Sequence, residues 1–232
     1  MSGHSHHGAP PEPAAPSEQQ DQTPAEGSSS ARLLFTLGFF GALAGSLLAF
    51  TYQKTLPAIQ KFAGEKVEVA VMEVLGAPPK LDTLYLIGDK LSRTPPAGVI
   101  PGDAIKLFIG IDAKGERMGV AVEEVAPGFA SDVRLMVGFN PSTGALTGFK
   151  VLSQTETPGL GDKIEKDTAF ASRFTGKIAL PLKGTKSVTT DPSTVQTITG
   201  ATISSKAVIK VINKAVETWK PRLEAFEKEG GK

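Results

Sequence analysis

The feature that most constrains this chain is the run "LLFTLGFFGALAGSLLAF" from Leu33 to Phe50, which carries no charge, the next being Lys54. A helix rises about 1.5 Å per residue, so the neutral stretch from Leu33 to Gln53 reaches roughly 30 Å, enough to cross a hydrocarbon core. A signal peptide would open on a basic segment and close on a small-residue cleavage site. Here a Pro-rich tail with acidic residues comes first instead. The run is therefore predicted to be a single membrane anchor over residues 32–53, in contact with membrane lipid. Gly41 and Gly45 give it a small-residue face that would let a second helix come close. Charge bias is a weak guide to orientation. Only Arg32 flanks the N-terminal side, against Lys54, Lys61 and Lys66 on the other. A bare count would place the large domain in the cytoplasm, although long domains cross largely regardless of charge.

The segment before the anchor, residues 1–31, is rich in Pro, Ser, Gln and Glu, with almost nothing to bury, and is expected to be a disordered tail. Its His4, His6 and His7 are read as incidental polar residues, and no metal site is predicted. A formal charge of +1 and aromatic content of 6 % speak against a nucleic-acid partner, which would need a basic face or stacking rings. The chain has no cysteine. Disulfides, thiolate metal sites, Cys nucleophiles and cysteine-ligated iron–sulfur clusters are thereby excluded.

Beyond the anchor, residues 54–103 read as a helical stalk and connector. Thr55–Gly76 has helical spacing in Val67, Val71, Val74 and Leu75, ends at "GAPP", and is followed by short apolar scraps with one strand at Thr83–Ile87. From Ala104 the apolar period shortens to two. "AIKLFIGI", "ERMGVAVEEVA", "DVRLMVGFN" and "ALTGFKVLSQT" are separated by the turns "DAKG" and "PSTG", which is the pattern of antiparallel hairpins. A final helix puts Ala201, Ser205, Val208, Ile212, Ala215 and Trp219 on one side and is predicted to be interrupted at Pro221, leaving a charged tail over 221–232. The fold class is α+β: a single transmembrane helix, then an antiparallel-sheet domain over 104–220 with a C-terminal amphipathic helix.

At the start of that helix stands "TITGATISSKAV", Thr197 to Val208. Thr199 or Thr202 has the character of an N-cap, whose hydroxyl would accept from a free backbone N–H. A helix N-terminus also offers unpaired N–H groups and partial positive charge to an anion, and Gly200 would let a phosphate approach the backbone closely. A threonine hydroxyl there could bind a phosphate or be esterified to one. Residue types alone leave both open, together with a third option: a non-redox anchored module in which Thr202 serves only the helix.

The stretch resembles the covalent flavin-attachment motif of the FMN-binding domain. That domain is found in the G subunit of the Rnf electron-transport complex and in the C subunit of the Na⁺-translocating NADH:quinone reductase. "TETPGLGDKI" at 155–164 is similar to the family's E-T-P-G-L-G segment, "FTGK" at 174–177 to its F-x-G-K, and "APGF" in part to a Gly-Tyr-Gly-Gly turn, with Phe129 for Tyr. The resemblance runs over residues 32–220. It implies FMN held covalently through a phosphoester on Thr202, with the helix-start amides of Gly200, Ala201 and Thr202 compensating the phosphate charge and Thr199 as the N-cap, its hydroxyl within reach of the same phosphate. It also implies flavin contacts from Glu156, Thr157, Gly159 and Leu160, the first two at the polar edge or ribityl chain and Leu160 on the ring. No residue is assigned a catalytic role.

The implied function is electron relay within an ion-translocating ferredoxin:NAD⁺ oxidoreductase of the bacterial inner membrane, with the large domain extracytoplasmic. The implied partners are the other subunits of the complex and a flavin transferase for maturation. The compact spacing between anchor and flavin motif is closer to the Rnf protein than to the quinone-reductase one. The chain departs from the family pattern at Gln196, where an Asp usually precedes the attachment motif, and Asp191 lies too far upstream to replace it.

Overall fold

The computed structural model describes residues 30–98, 104–178 and 180–230. Residues 1–29, most of the polar tail with its three histidines, lie outside the described residues, as does the end of the connector at 99–103. The chain divides into two units, Met1–Lys54 and Thr55–Lys232.

The first helix, α1, runs without a break from Ser30 to Val74, so it begins inside the segment expected to be tail. The helix expected to continue out of the anchor over Thr55–Gly76 does so as far as Val74, with Pro57 expected to be tolerable near the first turn of that part. Pro57 instead sits inside the helix, removing one backbone bond from 45 residues of ladder. Within the first unit every described residue is exposed, including Leu34, Phe35, Leu37 and Leu48. Such a surface is suited to lipid rather than water. This helix is long and apolar enough to cross a membrane.

In the second unit, six antiparallel strands form one sheet in the order β2-β1-β3-β4-β5-β6. They are β1 (Lys80–Ile87), β2 (Lys90–Ser92), β3 (Lys106–Ile111), β4 (Arg117–Pro127), β5 (Asp132–Phe139) and β6 (Leu146–Ser153). Strand alternation sorts the side chains onto two faces. Val120, Val122, Leu135, Val137 and Phe139 join the larger core, while Ala121 and Met136 join a smaller one with Ala70, Val71 and Val74 of α1. The sheet starts earlier than the strand period suggests. β1 extends from Lys80, pairs with β3 from Lys80 to Tyr85, and buries Leu84 completely. The polar and charged positions Lys80, Asp82 and Thr83 mask its alternation from a composition-based reading.

After β6 come a loop to Asp162 and two short helices, α2 (Lys163–Lys166) and α3 (Thr168–Ser172). Asp167 caps α3, accepting from the amides of Ala169 at 2.9 Å and Phe170 at 3.1 Å. Phe170 and Phe174 meet edge to face at 5.2 Å and each packs the same way on Phe149, which ties this segment to the sheet. A small parallel ladder of β7 (Lys183–Thr185) and β8 (Thr194–Gln196) then delivers the chain to α4 (Thr202–Lys228).

The long helix α4 lies on the sheet with Ala201, Ser205, Val208, Ile212, Ala215 and Trp219 buried, as their spacing predicts. The predicted interruption at Pro221 does not occur. The helix continues to Lys228 with Leu223 fully buried, and Arg222 pairs with Asp89 at 3.1 Å and Arg117 with Glu227. A proline costs its own N–H bond and crowds the preceding turn. Apolar burial and these ion pairs on the far side hold the helix together across it.

Candidate functional site

The turn into α4 is built by backbone geometry, not by a side-chain cap. Gly200 adopts φ +82°, a left-handed conformation that an L side chain rarely takes. The Ala201 N–H closes the turn onto the Ile198 carbonyl at 3.0 Å, so this amide, expected at the phosphate, is already engaged by the turn. Ala201 therefore occupies the N-cap position, and no side chain among the described residues caps the helix. This corrects the expectation that Thr199 is the cap: the Gly200 turn displaces its hydroxyl from the flanking position, and Thr199 is exposed. The turn is fastened from behind instead, by the buried Ser205 hydroxyl, which accepts from the Ile198 N–H at 3.0 Å.

As a result, the amides of Thr202, Ile203 and Ser204 make no hydrogen bond to a partner among the described residues. Three unpaired N–H groups at the positive end of a 27-residue helix form an anion-favouring surface. The half-buried Thr202 hydroxyl likewise has no bond among the described residues. Both border a cavity of about 560 Å³.

That cavity gathers most of the residues singled out in the sequence. Glu156, Thr157, Leu160, Thr199, Gly200, Ala201 and Thr202 all line it, although the two groups lie far apart along the chain. Gly159 does not line it; with φ +76° it belongs to the turn behind Leu160, where the Leu160 and Asp162 amides both donate to the Thr157 carbonyl. Leu160 lies over Gly200, close enough that a Cβ there would meet its Cδ2 at 3.2 Å. Phe129, Leu160 and Ile203 supply exposed apolar surface around the opening.

Glu156 is only 4 % exposed. Its Oε1 accepts from the amides of Phe129 at 2.9 Å, Ala130 at 3.1 Å and Ser131 at 3.4 Å, and its Oε2 accepts from the Ser204 hydroxyl at 2.5 Å. Three donors crowd Oε1 and one engages Oε2, which uses most of the carboxylate's accepting capacity. The polar-edge contact expected of Glu156 thus competes with bonds already made inside the protein. Burial alone would push this carboxyl up; Ser204 and the three amides together outweigh it and hold the group below the ordinary glutamate value.

Sequence reasoning missed Ser204, Ile203, Thr197 and Lys186, which also line the cavity. Lys186 is its one cationic side chain among the described residues. A serine in the first turn of an amphipathic helix gives no local signal that its partner is a loop carboxylate 48 residues away.

Two further side chains steady the approach to the site. Lys177 of "FTGK" donates to the carbonyls of Pro192 at 2.9 Å and Thr194 at 3.1 Å, and Arg173 donates to the Gln196 carbonyl at 2.8 Å. Asp191 is committed to its own turn through Ser193 and Thr194.

Comparison with known proteins reaches the same region. A family model described as the FMN-binding domain matches residues 128–217. The G subunit of an ion-translocating oxidoreductase complex from Methanosarcina acetivorans is 30 % identical over 187 residues, covering 80 % of this chain and 92 % of that protein. The chain belongs to this G-subunit family. Another member, from the Na⁺-translocating ferredoxin:NAD⁺ oxidoreductase complex of Acetobacterium woodii, is 29 % identical over 81 % of this chain and 92 % of its own length. The fold also recurs in the crystal structure of Shewanella oneidensis NqrC, with a TM-score of 0.56 and 18 % identity over 69 % of this chain and 97 % of that one. The α+β expectation, with an antiparallel sheet and a C-terminal helix, is borne out for this member of the G-subunit family.

Proposed function

We propose that the cavity at the start of α4 holds FMN as a phosphoester of Thr202, and that the chain is a membrane-anchored flavoprotein relaying electrons in an ion-translocating ferredoxin:NAD⁺ oxidoreductase. Membership of the G-subunit family and the FMN-binding match over 128–217 support the flavin and the complex. The observation that carries the covalent reading is the unengaged Thr202 hydroxyl beside three unpaired helix-start amides.

The residues present suit the group. Thr202, Ile203 and Ser204 offer N–H donors to phosphate oxygens, Gly200 adds no Cβ on the approach, and Lys186 brings a positive charge to the cavity. Thr199, Ala201 and Thr157 line the same cavity. Leu160, Phe129 and Ile203 offer apolar area to a ring system. The bound flavin supplies the redox chemistry, and the protein supplies position and electrostatics. The exposed apolar helix from Ser30 is read as the lipid-embedded anchor, with the sheet domain on the extracytoplasmic side and a flavin transferase needed for maturation.

The test is to produce the full chain with an active flavin transferase, denature it, and look for flavin fluorescence in the gel band. A fluorescent wild-type band and a dark Thr202→Ala band are expected. A dark wild-type band with verified transferase activity would sink the covalent reading.

A further inference from the structure

The Glu156 carboxylate occupies a place made for it. Consecutive amides of Phe129, Ala130 and Ser131 converge on one oxygen, an anion-binding nest filled by the protein's own side chain. Two glycines make room. A Cβ on Gly128 would lie 2.4 Å from Glu156 Oε1, and one on Gly161 would lie 2.7 Å from Glu156 Cβ and 2.9 Å from both Oε2 and Ser204 Oγ. No residue with a side chain fits at either position without expelling the carboxylate.

This one group ties together three segments that are remote in sequence: the turn bearing Phe129, the loop bearing Leu160, and the first turn of α4. We propose that Glu156 is the positioning residue of the flavin site, setting the Phe129 turn and the first turn of α4 relative to each other so that Phe129 and Thr202 face one cavity. The inference rests on the reading that this cavity takes FMN. Glu156 acts through Ser204 and the 129–131 amides and contributes no chemistry of its own. Misplacing reacting groups by about 1 Å can cost on the order of a hundredfold in rate, so a loosened frame should be felt first in how the flavin is loaded and held.

Glu156→Gln separates position from charge. Its amide oxygen can accept from the three backbone N–H groups, and its NH₂ can donate to the Ser204 hydroxyl. Glu156→Ala leaves four donors without an acceptor. The full chain would be produced with a flavin transferase, and two quantities read: the fraction of chains carrying flavin, and the visible circular dichroism of the bound flavin well below the unfolding temperature. Expected are a loss of about tenfold in loading for Glu156→Ala with an altered flavin dichroism, and recovery to within about twofold in Glu156→Gln. Ser204→Ala, which should fold even if Glu156→Ala does not, is expected to lower loading by roughly threefold and shift the dichroism in the same sense. Wild-type loading and dichroism in Ser204→Ala or in folded Glu156→Ala would overturn the proposal. So would a Glu156→Gln chain as defective as Glu156→Ala. A flavin-free wild-type chain would bring down the FMN reading as well, whereas a loaded wild type with indifferent variants overturns this inference alone.

Discussion

Ser204 and Glu156, 48 positions apart, meet at 2.5 Å, the serine hydroxyl donating to a carboxylate that also receives three backbone amides. The bond joins the loop that carries Leu160 to the helix that presents Thr202. It makes the site a property of the whole domain rather than of either motif.

Acid should reveal this carboxylate. Because its folded-state pKa is held below the ordinary 4.5, the unfolded chain binds more protons near that pH. The stabilisation is therefore complete above 4.5 and is lost as pH falls through and below it. Thermal unfolding of the detergent-solubilised chain between about pH 3 and 7 should show the wild type losing stability relative to Glu156→Gln on the acid side only. Parallel curves for the two proteins would contradict the assignment.

Thr199→Ala should leave stability unchanged to within about 0.5 kcal/mol, the range for surface substitutions that break no cap. A true N-cap threonine would cost about 1 kcal/mol, and up to roughly 2, on the same change. Denaturant unfolding distinguishes the two.

Gly200→Ala should destabilise by about 1–2 kcal/mol, the cost of a Cβ in the left-handed region. Its new methyl would also press on Leu160, 3.2 Å away. Unfolding midpoints measure the first effect, and flavin loading should fall with it.

Leu223→Ala tests whether α4 holds together beyond Pro221. Leu223 is fully buried, and truncating a buried leucine costs roughly 2–5 kcal/mol. A loss below about 0.5 kcal/mol would instead mark residues 222–228 as a frayed end.

How much of this can be read from residues follows from the range of the forces involved. The anchor, the hairpin strands from Lys106 onward and the buried face of α4 are legible, because each is a periodic pattern within a few turns or strands. β1 is legible only in part: polar residues at its start hide the alternation, and its strand character comes from pairing with β3. The stop expected at Pro221 reflects local propensity, which the burial of Leu223 overrides. The "TETPGLGDKI" and "TITGATISSKAV" segments are recognisable as motifs, but propensity makes Thr199 the cap, and only the φ of +82° at Gly200 removes it from that position.

By itself, the sequence determined that an apolar helix precedes an antiparallel-sheet domain and that a threonine stands at the mouth of an amphipathic helix. Those outcomes depend on solvent transfer and on backbone bonds between near neighbours. Long-range packing, by contrast, leaves the helix start uncapped, closes Leu160 over Gly200, and spends Glu156 on Ser204 and the Phe129 turn. Each of these is a contact between segments whose spacing along the chain carries no period, so only the packed sheet and helix could bring them together.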